Sequence, residues 1–349
     1  MSASASNTNS LADELKLSIS FKWLLGLYTI IPLCLALQFI DITFWQGYLQ
    51  SHLPSSPNHF IVFQILFGTP HIIASTLLLT TNSNYLKNYS RKLLLMTLAI
   101  AIVFGLGSLL IPYKVFYVLV AGWTVYHVIK QQHGVARSVC RLPNWAFYLL
   151  LWLSVIAGLI IYVGIFLKNS LDIQQIVWIQ QSAGLLCISI IIFGIYCQRY
   201  VISLFGRCFL WANIFLVLSC FYLYLEHYYF LAILVPRLVH DATAYTFYVT
   251  HDYNRHHSKP HNLMYIIAAR CHLPLLIVLP LCSFSLAFVL QAYGDNFIAQ
   301  LSEFLFGTRI SKVITLGLLG YLALMHYYTE AFTWKNDSPY RRYIAFSKI

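Results

Sequence analysis

The sequence predicts an all-α membrane protein, a polytopic bundle of about ten transmembrane helices. Three observations support this fold class: 59% of the 349 residues are hydrophobic, the mean hydropathy is +0.70, and only 9% of the residues are charged. A bilayer core requires about 20 consecutive apolar residues for each spanning helix, and no ordinary soluble domain needs so much apolar surface. We therefore expect an integral membrane protein whose first partner is the lipid bilayer.

Ten apolar segments follow one another, and many are bounded by turns such as "SSPNH" and "TNSNYLKN". Residues 1–20 precede them as a short polar tail, which is predicted to be cytoplasmic. Residues 21–349 are expected to form a single integral-membrane helical domain. The segments are about 22–40, 60–80, 91–111, 113–131, 145–167, 176–197, 208–225, 228–250, 272–292 and 312–333, with edges uncertain by a few residues.

The basic residues predict that both termini are cytoplasmic. With that orientation, 17 of the 22 lysines and arginines fall on the inner side, four fall in outer loops, and Arg237 lies within a helix. Inner loops of membrane proteins carry this excess of positive charge. The net charge of +11 is therefore mostly a topology signal, and we expect no nucleic-acid partner. The expected location is a bacterial inner membrane, crossed several times.

Four histidines fall inside predicted helices, and all four helices run from the outer to the inner side. Counted from the outer edges, they lie 11, 14, 12 and 14 residues in, a spread of about one helical turn. Histidine is costly in hydrocarbon and usually faces a partner or the bundle interior, and neutral imidazole is a good ligand for iron, zinc and copper. We predict that this layer binds a metal. Its members are His71, His127, His240 and His326.

A second group of ionisable residues is predicted nearer the inner mouth of the bundle: His133, His251, Asp252 and Glu330. Glu330 follows His326 by four residues, so both share one helix face. His251 follows His240 by 11 residues, about 16 Å along a helix axis, too far for both to bind one ion. We therefore expect two layers, with His133 and His251 as candidate ligands of a second metal.

Carboxylates beside the histidines are the candidate catalytic groups. Asp241 is expected to orient an imidazole N–H, and Glu330 or His133 is expected to relay protons. The tract "HHSKPH", which contains His256, His257 and His261, resembles a loose metal-binding tract but is predicted to be a solvated basic loop.

Two short segments resemble a known family. The stretch "FGTPHIIAS" is similar to the Pro-His motif of the bacterial Brp/Blh-type beta-carotene dioxygenases, and "YHVIKQQHG" is similar to a His-Gly element of that family. Those enzymes are polytopic membrane proteins that use a histidine-held ferrous iron to cleave a carotenoid with O2. The resemblance implies that His71 and His133 are iron ligands, and His127, His240 and His326 are carried over with them.

The resemblance covers only short pieces of the second, fourth and eighth predicted helices. Where the family has Gly and a downstream Asp after the Pro-His pair, this chain has Ile72, Ile73 and Ser75. The chain is also longer than is usual in that family. These departures leave the substrate open.

The function expected from the sequence is a histidine-ligated non-haem iron oxygenase. It would use Fe(II), alone or as a di-iron pair, and O2 to cleave, hydroxylate or desaturate an apolar lipid-phase substrate such as a carotenoid, an isoprenoid or an acyl lipid. Two alternatives stay open at this point. One is a bis-histidine haem b redox protein, and the other is a transporter of a divalent metal.

Overall fold

The computed structural model describes residues 16–335 and 337–347, and this part of the chain is helical apart from two short strands. The strands are Ser18–Ile19 and Ala345–Phe346, which pair in parallel. The α-helices are Phe21–Gly26, Ile30–Phe44, Tyr48–His52, Ile61–Phe63, Thr69–Thr80, Ser83–Ile100, Tyr113–Cys140, Asn144–Phe166, Ile173–Cys197, Leu204–Leu225, Tyr229–His256, Leu263–Arg270, Leu275–Val289, Asp295–Phe306 and Leu319–Thr333.

Short 3-10 helices, which are tighter than an α-helix, and π-helical segments, which are wider, connect or extend these α-helices. The 3-10 helices are Leu27–Thr29, Pro57–His59, Gly107–Leu109, Gln198–Tyr200 and Pro339–Tyr343. The π-helical segments, in which the hydrogen bond reaches five residues instead of four, are Gln64–Gly68, Ala101–Leu106, Leu290–Gly294 and Val313–Leu318.

Within the described residues, seven helices are long and apolar enough to cross a membrane, which confirms the all-α class and is compatible with a membrane protein. They are Phe21–Phe44, Ile61–Thr80, Ser83–Leu106, Asn144–Phe166, Ile173–Tyr200, Leu204–Leu225 and Leu275–Phe306. The count of ten spans and the cytoplasmic termini stay predictions. Each of the three remaining apolar segments also contains a helix, and these are the helices that carry His127, His240 and His326. Their polar residues lower the mean hydropathy below that of an ordinary spanning helix.

Several helices are longer than the apolar segments that predicted them. Helices predicted to end at 131 and 250 continue to Cys140 and His256, and a helix predicted from 91 begins at Ser83. Hydropathy marks only the apolar part of a helix, whereas backbone hydrogen bonding continues through polar residues beyond it. The tail predicted for 1–20 lies mostly outside the described residues, but Ser18 and Ile19 form a strand rather than a loose segment.

The chain divides into two compact units. The first unit contains residues 1–24, 61–110 and 241–349. One apolar cluster of this unit joins the helices Thr69–Thr80, Ser83–Ile100 and Leu319–Thr333 through residues such as Leu78 and Phe332. All four π-helical segments seen in the described residues belong to this unit.

The second unit contains residues 25–60 and 111–240 and is built mainly from long, regular helices. One of them, Ile173–Cys197, starts with a capping box: the Asp172 carboxylate accepts from the Gln175 amide at 2.8 Å, and the Gln175 side chain accepts from the Asp172 amide at 3.1 Å. Gly164 lets helices approach closely, because a Cβ there would overlap the Tyr224 hydroxyl.

Candidate metal centre

His71 lies in the first unit, on the helix Thr69–Thr80, directly after the π-helical segment Gln64–Gly68. Pro70 fits there because it stands in the first turn, where its missing N–H costs little. The ring is buried, and its Nδ1 lies 3.2 Å from the Phe67 carbonyl oxygen. A carbonyl oxygen only accepts hydrogen bonds, so Nδ1 carries the proton and the other nitrogen, Nε2, is the one suited to a metal.

His326 lies in the same unit on the helix Leu319–Thr333, which also follows a π-helical segment. Its Nδ1 is 3.3 Å from the hydroxyl of Tyr248, and that hydroxyl donates to the carboxylate of Glu330. Because the hydroxyl hydrogen is directed at Glu330, the hydroxyl oxygen accepts from Nδ1–H of His326. The two imidazoles therefore have the same tautomer, with Nε2 as the ligand nitrogen of each.

The rings of His71 and His326 are close and perpendicular. Their centroids are 4.9 Å apart at an interplanar angle of 79°, and they offer nitrogen atoms within 4.8 Å of each other. Two ligands of one ion with bonds of about 2.1 Å lie about 3.0–3.4 Å apart. A modest closing of the pair would therefore place both nitrogens on a single ion.

Asp241, on the helix Tyr229–His256, lies beside His71, although no set of three potential ligands close enough to share an ion contains it within the described residues. Its Oδ1 lies 3.5 Å from Nε2 of His71, and both side chains are buried. With the proton on Nδ1, a neutral His71 presents a lone pair to a carboxylate oxygen, and two acceptors facing each other repel. A second proton on the imidazole, or a metal ion near both atoms, would make this contact attractive. Asp241 thus lies beside His71, but at Nε2 rather than at the protonated Nδ1, and its expected role of orienting an imidazole N–H stays a prediction.

Glu330 is buried one helical turn after His326, as the spacing predicted. Besides the Tyr248 hydroxyl, its Oε1 accepts from the Trp334 indole N–H at 2.9 Å. Glu330 also offers a carboxylate oxygen within 4.8 Å of a His326 nitrogen. The carboxylate is therefore equipped either to bind a metal or to hold a proton next to one.

The other two predicted ligands, His127 and His240, form a pair in the second unit. Their ring centroids are 4.7 Å apart at 77°, and both residues are buried. His127 comes from the helix Tyr113–Cys140, and His240 comes from Tyr229–His256. His240 is the last residue of the second unit, and Asp241 belongs to the first. Both residues lie on the continuous helix Tyr229–His256.

His133 and His251, the predicted ligands of a second metal, are placed differently. Among the residues that the structure describes, no set of three potential ligands close enough to share an ion contains either of them. His133 is buried, and its Nε2 has no hydrogen-bond partner within the described ranges. His251 is buried against aromatic rings, with its Nε2 3.0 Å from the Tyr85 hydroxyl. Their role as ligands stays a prediction.

His251, which was predicted to lie at the inner mouth of the bundle, is fully buried. The helix Tyr229–His256 is continuous past it, and the C-terminal 3-10 helix covers it: Tyr340 stacks on the His251 ring at 5.0 Å and Tyr343 contacts its edge at 5.3 Å. Parallel pairing of Ala345–Phe346 with Ser18–Ile19 holds this covering segment in place. Sequence hydropathy could not reveal the cover because it comes from residues about 90 positions away.

The tract His256, His257 and His261 is only partly the solvated loop that was predicted. His256 ends the helix and is fully buried, with Nε2 3.5 Å from Oδ1 of Asp252 and its ring stacked on Tyr265. His261 is largely exposed in the loop. The small loss of hydration there and the neighbouring His256 lower its pKa. The prediction failed for His256 because Asp252, four residues earlier, supplies a buried partner.

Sequence reasoning missed Tyr248 and Trp334, the two residues that hold Glu330. One signal pointed to the first of them: Tyr248 follows Asp241 by seven residues, which is nearly two helical turns and so the same face. The signal is weak because the chain has 25 tyrosines. Trp334 lies beyond the last apolar segment, where no pattern marked it.

The chain matches no protein-family model, no curated protein and no solved structure. The geometry of the buried histidines and carboxylates is therefore the observation that bears on function.

Proposed function

We propose that this protein is a membrane metalloenzyme in which His71 and His326 bind a divalent metal, with Asp241 as the adjacent carboxylate. The observation that carries the proposal is the approach of Nε2 of His71 to Oδ1 of Asp241 at 3.5 Å, with the His71 proton held on Nδ1 by a backbone carbonyl. Two imidazoles and a carboxylate are the donors that ferrous iron takes in non-haem oxygenases.

The reaction we propose is an O2-dependent oxidation of an apolar, lipid-phase substrate, such as a carotenoid, an isoprenoid or an acyl lipid. Helices of membrane length would let such a substrate reach the protein from the bilayer. The resemblance of "FGTPHIIAS" to the Brp/Blh-type dioxygenases favours the same chemistry. A bound ferrous ion supplies Lewis acidity and a position for O2. His71 and His326 would hold the metal. The Glu330 carboxylate accepts the hydroxyl proton of Tyr248, and that hydroxyl contacts Nδ1 of His326.

A haem is supported less well by the same geometry. The two axial imidazoles of a bis-histidine haem lie on opposite faces of a flat macrocycle. Ring centroids only 4.9 Å or 4.7 Å apart, in perpendicular pairs, leave too little space for a macrocycle and two metal–nitrogen bonds of about 2 Å each. A single ion fits between such rings more readily.

The test is metal analysis and an absorption spectrum of the purified protein, with variants. Stoichiometric iron without a Soret band is the expected result, and it should be lost in His71→Ala and in His326→Ala. His59→Ala is the control, because His59 is exposed and should keep the metal. A Soret band would replace the proposal with the haem protein. Iron that exchanges rapidly and drives no O2 consumption with any carotenoid or acyl lipid would favour a metal transporter.

The same preparations decide whether the second pair belongs to the centre. The four-histidine site predicted from the sequence requires one metal per chain, lost completely in His127→Ala and in His240→Ala. Two separate sites would instead give up to two metals per chain, and each of these variants would lose only one. Full metal content in both variants would remove His127 and His240 from the ligand set.

A further inference from the structure

Tyr248 is the one side chain in the described residues whose hydroxyl joins a candidate ligand to a buried carboxylate in the first unit. It lies in the helix Tyr229–His256, is 2% exposed, and contacts both Nδ1 of His326 and Oε1 of Glu330. Its ring stacks on Trp334 with centroids 5.6 Å apart, and Trp334 donates to the same carboxylate oxygen. Packing and hydrogen bonding therefore fix the position of this hydroxyl.

We propose that Tyr248 is a positioning residue that prepares His326 to bind the metal. The hydroxyl accepts the Nδ1 proton of His326 and passes its own proton towards Glu330, so the negative charge of Glu330 acts on the imidazole through one intervening hydroxyl. Such an arrangement fixes the tautomer, holds the ring plane and raises the basicity of Nε2, as a directly bonded carboxylate does for many metal-bound histidines.

The two candidate ligands are prepared by different means. Nδ1 of His71 is held by a backbone carbonyl, which no substitution of a side chain removes. Nδ1 of His326 depends on a tyrosine and a glutamate, which substitution does remove. This difference makes the inference testable at His326 alone. It rests on the proposed metal site.

The experiment is a titration of the metal-free protein with Co2+, read by its visible absorption, in matched variants. Tyr248→Phe removes only the hydroxyl and should weaken Co2+ binding about 10–100-fold, the usual effect of losing the hydrogen-bond partner of a metal-bound histidine. It should also shift the absorption bands, which a purely structural role would leave unchanged. Tyr245→Phe is the control, because Tyr245 is on the same helix and its hydroxyl contacts Ser283 at 2.7 Å instead.

The outcomes separate this inference from the proposed function. Equal affinity and equal spectra in Tyr248→Phe and Tyr245→Phe would overturn the positioning role alone. A wild-type protein that binds no Co2+ would overturn the metal site as well. Should Tyr248→Phe fail to accumulate, Trp334→Phe replaces it: removing the indole N–H from Glu330 should weaken binding severalfold, and unchanged affinity would overturn the inference.

Discussion

Each unit of this protein buries an aspartate, and the two are treated in opposite ways. Asp41, in the second unit, is fully buried and accepts three hydrogen bonds: from the amide of Leu49 at 2.9 Å, the amide of Gln50 at 3.2 Å and the hydroxyl of Tyr228 at 2.8 Å. Asp241, in the first unit, faces the imidazole of His71. The first carboxylate is supplied with donors and stabilises the fold, whereas the second lies beside the nitrogen of a candidate metal ligand.

The backbone differs in the same sense. The second unit contains the regular helices Asn144–Phe166, Ile173–Cys197 and Leu204–Leu225. In the first unit, π-helical segments directly precede the helices that carry His71 and His326. A π turn interrupts regular hydrogen bonding and is often found at functional sites, because it directs side chains that a straight helix would turn away. On the proposed function, the metal chemistry belongs to the first unit, and the helices without histidine in the second unit serve mainly as scaffolding.

Metal removal should produce the largest difference between these regions. A metal at a free concentration 1,000 times its Kd stabilises the folded state by about 4 kcal/mol. After chelation, hydrogen exchange should accelerate in peptides covering 61–80 and 319–333. Peptides covering 144–166 and 204–225 should change much less. Equal acceleration in all four peptides would show that the metal supports both regions alike and would end the distinction.

Removing the structural carboxylate should have the next largest effect. Asp41→Ala leaves three donors without their acceptor. Two of them, the amides of Leu49 and Gln50, belong to the opening turn of the short helix Tyr48–His52. Each lost hydrogen bond to a charged group is worth about 1–3 kcal/mol when buried, and the two backbone amides are only partly buried, so we expect a loss of about 2–4 kcal/mol. Thermal unfolding in detergent measures it, and Co2+ affinity of the surviving folded protein should be unchanged. Weaker Co2+ binding would contradict a purely structural role.

The sequence predicted the helical class, and singled out the buried histidines, for identifiable reasons. Apolar runs mark helices because a bilayer requires them, and histidines in such runs are rare enough to be noticed. The rings of His71 and His326 lie together, as do those of His127 and His240, but a similar depth alone did not predict these two pairs. The spacing of four residues placed Glu330 beside His326 correctly, because it is a property of one helix.

Features that depend on contacts between distant segments could not be predicted. Nothing in the apolar pattern distinguishes a π-helical segment such as Val313–Leu318 from an α-helix, since both are continuous apolar stretches. Asp41 gave no signal because its partner Tyr228 is 187 residues away. Tyr248 was hidden for a similar reason, as its partners His326 and Glu330 lie on another helix.

The smallest expected effect, and the sharpest for the comparison, is that of Asp241→Asn. The amide keeps the shape of the carboxylate but removes its charge, so Co2+ binding should weaken at least tenfold, or about 1.4 kcal/mol at 25 °C. The metal-free protein should lose less stability than in Asp41→Asn, because the new amide N–H can donate to Nε2 of His71. Asp41→Asn is the matched substitution in the other unit and should lower stability while sparing Co2+ binding. If Asp241→Asn instead lowers the melting temperature of the metal-free protein as much as Asp41→Asn does, both aspartates are structural and the metal site loses its carboxylate.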